Sequence, residues 1–264
     1  MKKHTLYKWI LAVTAVSILL PMAVVAIWSV TGRWPWPRLI PESWTLRTLE
    51  ELFFGSAKLP RLLGSSITLA FLVALLATVI SILTARATEF YDFPGKGIVR
   101  FSGMLPLLVP GTVFAMGIQL VMLKLGLADK IAGVVLVHLV CALPYCIAIM
   151  GDVTRAVGIR LEEQAQVLGA SPVRAFFAVT LPALIPGILS SMSMGFILSY
   201  SQYFTTLMVG GGRVKTIALV LVPYIQSGDR ALASAYSVAF VGSAMIVFFI
   251  FEALINKLQK EGTT

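Results

Sequence analysis

The sequence predicts an all-α polytopic membrane protein, a single domain over residues 1–264 that crosses the bilayer six times. Three observations predict it. The chain is 58% hydrophobic and only 12% charged, about half the charge fraction of an ordinary soluble domain. Six apolar stretches, at 9–30, 63–85, 102–123, 131–151, 184–208 and 231–255, each supply the roughly 20 residues a helix needs to cross the hydrocarbon layer. Between the fourth and fifth lies a polar loop, 155–182, which has to sit outside the bilayer.

The first stretch follows Lys2, Lys3 and Lys8 and runs from Trp9 to Val30. A cleavable signal has an apolar core of about 7 to 15 residues and a small-residue cleavage site, so this longer run is expected to be a retained anchor. Next comes the longest extramembrane segment. Trp34, Trp36 and Trp44 suit an interfacial aromatic belt, Pro35, Pro37 and Pro41 keep the chain extended, and Ser43 to Phe54 is expected to form a surface helix. The segment is equally suited to bind an external partner.

The second span opens with Gly64, Ser65, Ser66, Thr68 and Ala70, small residues that let helices approach closely in lipid. The run ARATEFYDFPGKGIVR then reads as a solvated connector. In the third span Pro106 and Pro110 share a face and each removes a helical hydrogen bond, so a kink or unwound segment is expected there, making the pair a candidate gate or a shaping kink. Gln119 is the strongly polar side chain further along it. The fourth span carries Pro144 and Tyr145, and Asp152 and Arg155 mark its end. Cys141 and Cys146 lie within it and form no disulfide framework. His138 and Cys141 share a face, but a hydrogen-bonded core histidine is the more economical reading than a metal ligand.

The polar loop has the signals of a two-helix elbow. Leu161, Ala165 and Leu168 recur at helical spacing, with Glu162, Glu163 and Gln166 on the other side. Gly169 stops this helix, Ser171 and Pro172 supply the N-cap and first turn of the next, and Val173, Phe176, Phe177 and Thr180 give that second helix a buried stripe. Leu181-Pro182 is expected to end it. The fifth span that follows is polar at its middle: Ser199, Tyr200, Ser201, Gln202, Tyr203, Thr205 and Thr206 form the candidate lining of a translocation pathway. GGGRVKT comes next and lacks the spacing of a phosphate-binding loop. A re-entrant or amphipathic piece, IALVLVPYIQSGDRALASAY, with Asp229 and Arg230 as capping residues, precedes the sixth span.

The net charge of +9 is read as membrane flanks in contact with lipid, with no nucleic acid implied. Six spans place both termini on one side, and Lys2, Lys3, Lys8, Lys257 and Lys260 favour the cytoplasm. The full count is nearly balanced, at eleven basic residues inside against ten outside.

Glu163, Gln164 and Ala165, then Gly169, then Leu181-Pro182 resemble the EAA loop of ABC importer permeases, a Glu-Ala-Ala run followed by a glycine and a closing Leu-Pro. Gln164 departs from the pattern, standing where the family usually has alanine. The resemblance spans nearly the whole chain and is similar to the type I importers that serve polyamines, ferric iron, thiamine or phosphonates. It implies the type I importer permease fold in a bacterial inner membrane, with the elbow and both termini cytoplasmic. It further implies that Glu163, Gln164, Ala165, Gly169, Ser171, Pro172, Leu181 and Pro182 engage an ATPase. Partners would be two ATPase subunits, a second permease chain, identical or related, and an extracytoplasmic solute-binding protein. No cofactor would be bound by this chain; ATP and Mg would sit on the ATPase.

Polyamine permeases of this group resemble the fifth-span pattern LSMDD, where this chain has LSYSQ, with Ser201 and Gln202 in place of the acidic pair. That weakens the polyamine reading, while Tyr200 and Tyr203 keep it open. A neutral, zwitterionic or anionic solute fits as well. The competing classes are an ion-coupled transporter, which would need buried ionisable groups this chain lacks mid-span, and a membrane-embedded enzyme, for which His138 with a serine is the one offer.

Overall fold

An apolar run in lipid has no water to satisfy its peptide groups and can be only helical here. Each expected span is mostly helical in the computed structural model, which describes residues 2–35, 37–55 and 58–261. Trp36, expected in the aromatic belt, lies outside the described residues, as do the side chains of 2–6, 107 and 258–261, Lys2, Lys3 and Lys260 among them. Five helices among the described residues are long and apolar enough to cross a membrane, and six crossings result if one sharply bent pair forms a single span.

The chain divides into two units, Met1–Leu63 with Val220–Ser243, and Gly64–Leu219 with Ala244–Thr264. In the first, α1 (Lys2–Trp28) leads to a short antiparallel pair, β1 (Thr31–Arg33) and β2 (Ser43–Trp44), with Thr31 opposite Trp44. The surface helix α2 therefore starts later than expected, at Arg47–Phe54, because pairing with β1 holds Ser43 and Trp44 extended. Its buried face carries Thr48, whose hydroxyl donates to the Ser29 carbonyl, and Leu52. Trp28 and Trp34 meet edge to face at 5.8 Å. The expected re-entrant piece is two helices. α11 (Ile217–Ser227) and α12 (Arg230–Glu261) are separated at Gly228, where φ is +78°. Asp229 caps α12 by accepting from Leu232 N–H at 3.1 Å, whereas Arg230 lies over the Trp28 ring at 5.7 Å rather than capping.

The second unit is built around α3 (Leu59–Phe90), α6 (Ile131–Val157) and α9 (Leu181–Tyr200). Small residues set their spacing. A Cβ on Gly195 of α9 would lie 3.1 Å from Ala74 Cα, and one on Gly187 would lie 2.7 Å from Val153 Cγ1. Of the small residues expected to pack α3, Ala70 is fully buried, but Ser66 accepts from Ile217 N–H at 2.8 Å and Ser65 donates to the Lys215 carbonyl. Val73, Ala77, Val134, Val137, Cys146 and Val209 make the core. The connector after the second span is shorter than expected: α3 stays helical to Phe90, and only residues 91–95 turn.

The third span breaks. Helices α4 (Lys96–Leu108) and α5 (Gly111–Lys124) meet at 108°, with Val109 and Pro110 extended between them. Pro106 is accommodated inside α4, while Pro110, which has no N–H to offer the ladder, sits where the helix stops. The fifth span also breaks. Residues 201–203 leave the helix and α10 (Phe204–Gly210) follows as a separate piece.

Candidate coupling elbow and polar face of the bundle

The elbow begins with α7 (Arg160–Val167). Gly169 ends it in the left-handed region, φ +93°, where an L side chain would be strained. Ser171 then caps α8 (Pro172–Ala175), its hydroxyl accepting from Arg174 N–H at 3.3 Å, with Pro172 in the first turn. These three features follow the expected pattern.

Leu181-Pro182 does not end the second helix. The chain widens into a π-turn over Phe176–Thr180, where Leu181 N–H donates to Phe176 O five residues back, and continues as α9. Leu181 keeps helical angles, φ −60° and ψ −44°. The wider turn makes room for the Pro182 ring, which an α-helix would press against the carbonyl one turn earlier.

The buried faces also differ from the expected stripes. On α7 the inward residue is Glu162, only 2% exposed, while Leu161, Val167 and Leu168 are exposed and Ala165 is half-buried. On the second helix Ala175 and Thr180 are buried and Phe176 half-buried, but Val173 and Phe177 face outward. A polar partner explains the reversal. Arg86, near the end of α3, forms a two-pronged pair with Glu162, both N–O distances being 2.6 Å. Thr180 donates a third hydrogen bond to Glu162 at 3.0 Å, and the Arg86 guanidinium lies over the Phe176 ring at 5.0 Å. The hydrogen bonds from Arg86, helped by Thr180 and opposed by burial, hold the Glu162 carboxyl below its ordinary range.

One turn further along α3, Glu89 accepts from Arg100 of α4 and Arg155 of α6, each at 3.0 Å. Arg86, Glu89, Arg100 and Glu162 were legible only as loop or flank charges. The available signal was Arg86 and Glu89 three apart on one helical face, hidden by ending the span at residue 85. Glu163, Gln164 and Gly169 are exposed at the tip of the elbow.

The polar residues of the fifth span do not all line one surface. Ser199 and Thr206 are buried and hydrogen-bonded to opposite nitrogens of His138, both at 2.9 Å. Because Thr206 gives its own proton to the Gln202 carbonyl, His138 Nε2–H donates to Thr206 and Nδ1 accepts from Ser199. His138 thus ties α6 to both sides of the break, the hydrogen-bonded role expected of it, and no cluster of metal-ligating side chains occurs among the described residues. Ser201 bonds back to Leu198 O, and Thr205 donates to Gln202 Oε1. Tyr200 is buried and stacked on Phe196 at 5.3 Å. Gln202, Tyr203 and Gln119 are half-buried, Pro106 is half-buried and Pro110 exposed.

The chain matches the family of binding-protein-dependent transport system inner membrane components over residues 77–261. It belongs to that family. Among curated proteins the permease is 30% identical to a putative ABC transporter permease, ORF1, of Streptomyces antibioticus, over 84% of this chain and 96% of that one. It is 26% identical to the putrescine transport permease PotI of Escherichia coli K12, over 83% and 80%. A molybdate/tungstate permease, WtpB of Pyrococcus abyssi, is 27% identical over 75% and 79%. Among solved structures, a chain of a bacterial ABC transporter that imports the acidic polysaccharide alginate superposes with a TM-score of 0.66, covering 95% of each chain at 15% identity. The same fold therefore underlies the permease and that importer. This chain is the multi-pass inner-membrane permease subunit of a binding-protein-dependent ABC importer, and its family is one of transport proteins, not of enzymes.

Proposed function

We propose that this permease supplies half of a translocation pathway and takes its drive through the elbow from a separate cytoplasmic ATPase. The observation that carries the reading is the elbow's exterior. Val167 and Leu168 are 87% and 89% exposed and Val173 and Phe177 are also outward, beside exposed Glu163, Gln164 and Gly169. An apolar ridge with a polar edge on a rigid, capped turn is a surface built to be covered by protein. One chain has one such elbow, so the complete importer has a second permease chain and two ATPases. ATP and Mg belong to those ATPases, since this sequence has no phosphate-binding loop. The elbow, and with it both termini, faces the cytoplasm.

An extracytoplasmic binding protein delivers the solute, as in the solved alginate importer bound to its pentasaccharide-loaded periplasmic protein. The relatives' cargoes include putrescine and molybdate/tungstate, so ancestry does not choose between cation and anion. The fifth-span break offers the Ser201 hydroxyl, the Gln202 amide and Tyr203, with no carboxylate. A small neutral, zwitterionic or anionic solute suits that surface better than a polyamine, which would need compensating negative charge.

Glu163→Lys, or Gly169→Val at the left-handed position, should leave the protein inserted and abolish ATPase co-purification or reduce ATP hydrolysis coupled to transport. Normal association and transport in both variants would remove the elbow from the mechanism. Mass spectrometry of the ligand that co-purifies with the cognate binding protein identifies the cargo.

A further inference from the structure

The elbow is fastened to more than the two spans that it joins in sequence. Arg86 holds it to α3 through Glu162 and Phe176. Glu89, three residues on and on the same helical face, receives Arg100 from α4 and Arg155 from α6. Arg100 also donates to the Thr88 carbonyl at 3.0 Å, in the last turns of α3, where a cation is favoured by the helix dipole. The turn 91–95 is short, and Lys96 at its far end reaches back to Asp92 and the Tyr91 carbonyl. The cytoplasmic ends of α3 and α4 are thereby tied together. The far end of α4 is free of helical continuity, because the chain breaks at Val109 and Pro110 and turns through 108° into α5. Tied to α3 through its first turns, α4 meets α5 only through the two extended residues Val109 and Pro110.

We infer that Arg86, Glu89 and Arg100 are positioning residues that carry displacement of the elbow, by way of α3, to the α4–α5 break. The inference rests on the reading that an ATPase moves the elbow. It adds a route to the third span beside the direct one through α6 and α9. The order is Glu162 to Arg86, along the last turns of α3 to Glu89, and through Arg100 into α4. Arg155 shares Glu89 but leads to α6, and so stands off this route. Spatial continuity becomes coupling only where an element has two arrangements, and the proposal places that element at the α4–α5 break.

The test uses the assembled transporter, with Leu108→Cys as a reporter on the last residue of α4. The rate of its modification by N-ethylmaleimide is measured with and without Mg-ATP and vanadate, over the background of Cys141 and Cys146. Nucleotide should change the rate by about two- to thirtyfold, the span of coupling energies found for such networks. Arg100→Gln, made at a half-exposed side chain, should abolish that response while ATPase co-purification and hydrolysis stay within about twofold of the parent. Arg100→Lys should restore part of it, and Arg155→Gln should leave it intact. The double reversal Arg86→Glu with Glu162→Arg should regain response lost in either single variant.

A full response in Arg100→Gln overturns the route, as does loss of the response in Arg155→Gln to the same extent. A parent that hydrolyses ATP with its partners yet shows no response at position 108 also overturns it, while leaving the importer reading standing. Failure of any ATPase to co-purify with the parent instead overturns the reading beneath it.

Discussion

Glu162 is 2% exposed and carries a formal charge, so its solvation has to come from protein. Arg86 supplies it with two short parallel hydrogen bonds and Thr180 with a third. Breaking such a pair leaves a guanidinium facing a half-buried site. Glu162→Gln should therefore destabilise the protein by about 3 kcal/mol at neutral pH, at the lower end for buried pairs because Arg86 still reaches water. The same pair makes stability depend on pH. Arg86 holds the folded carboxyl below its ordinary value of 4.5, so the stabilisation is complete above about pH 4.5 and is lost as pH falls through the lower, folded value. Thermal unfolding of detergent-solubilised protein between pH 7 and pH 3.5 should show a fall at the acid end that Glu162→Gln makes shallower. An unchanged slope in that variant would assign the acid sensitivity elsewhere. Gly169 and Ser171 were readable without this network, since a cap or a left-handed turn is a property of a few neighbouring residues. Glu162 was not, because its partner is 76 positions away.

At the scale of elements, close approach depends on glycine. α9 passes α3 so near at Gly195 that an added Cβ would sit 3.1 Å from a backbone carbon, which has less freedom to yield than a side chain. Gly195→Val should cost about 1 to 3 kcal/mol through overpacking, read as a lower unfolding temperature, whereas Gly64→Ala, with open space around it, should leave that temperature within a degree or two. The helices themselves were legible, because hydropathy and length decide that an apolar run becomes a span. Their ends were not. α3 runs on to Phe90, carrying Arg86 and Glu89 to partners on other elements, and the elbow's second helix runs past Pro182 because a π-turn absorbs the proline. The fifth span, continuous by composition, breaks at 201–203, with His138 bonded to Ser199 before the break and Thr206 after it.

At the scale of the whole molecule, the chain is the permease subunit of a binding-protein-dependent importer, and its proposed drive is a separate ATPase. Vesicles holding the complete transporter should accumulate solute only with ATP on the elbow side, and the binding protein on the opposite side should be required. Uptake driven by a proton or sodium gradient alone would remove the proposed drive.

Sequence by itself determined the all-α membrane architecture, the number of apolar stretches, the break of the third span at Pro110 and the capped elbow with its Gly169 turn. Each of these follows from composition or from spacing within a few residues, where backbone sterics and transfer to lipid decide the outcome locally. Tertiary structure alone decided which face of the elbow is inward. Periodicity assigned the apolar residues to the interior. In the folded chain a carboxylate takes that place because Arg86 and Thr180 meet it there, and Leu161, Val167, Leu168, Val173 and Phe177 are left outside. Burial of a charge is settled by the hydrogen bonds that wait for it, and those come from elements distant in sequence.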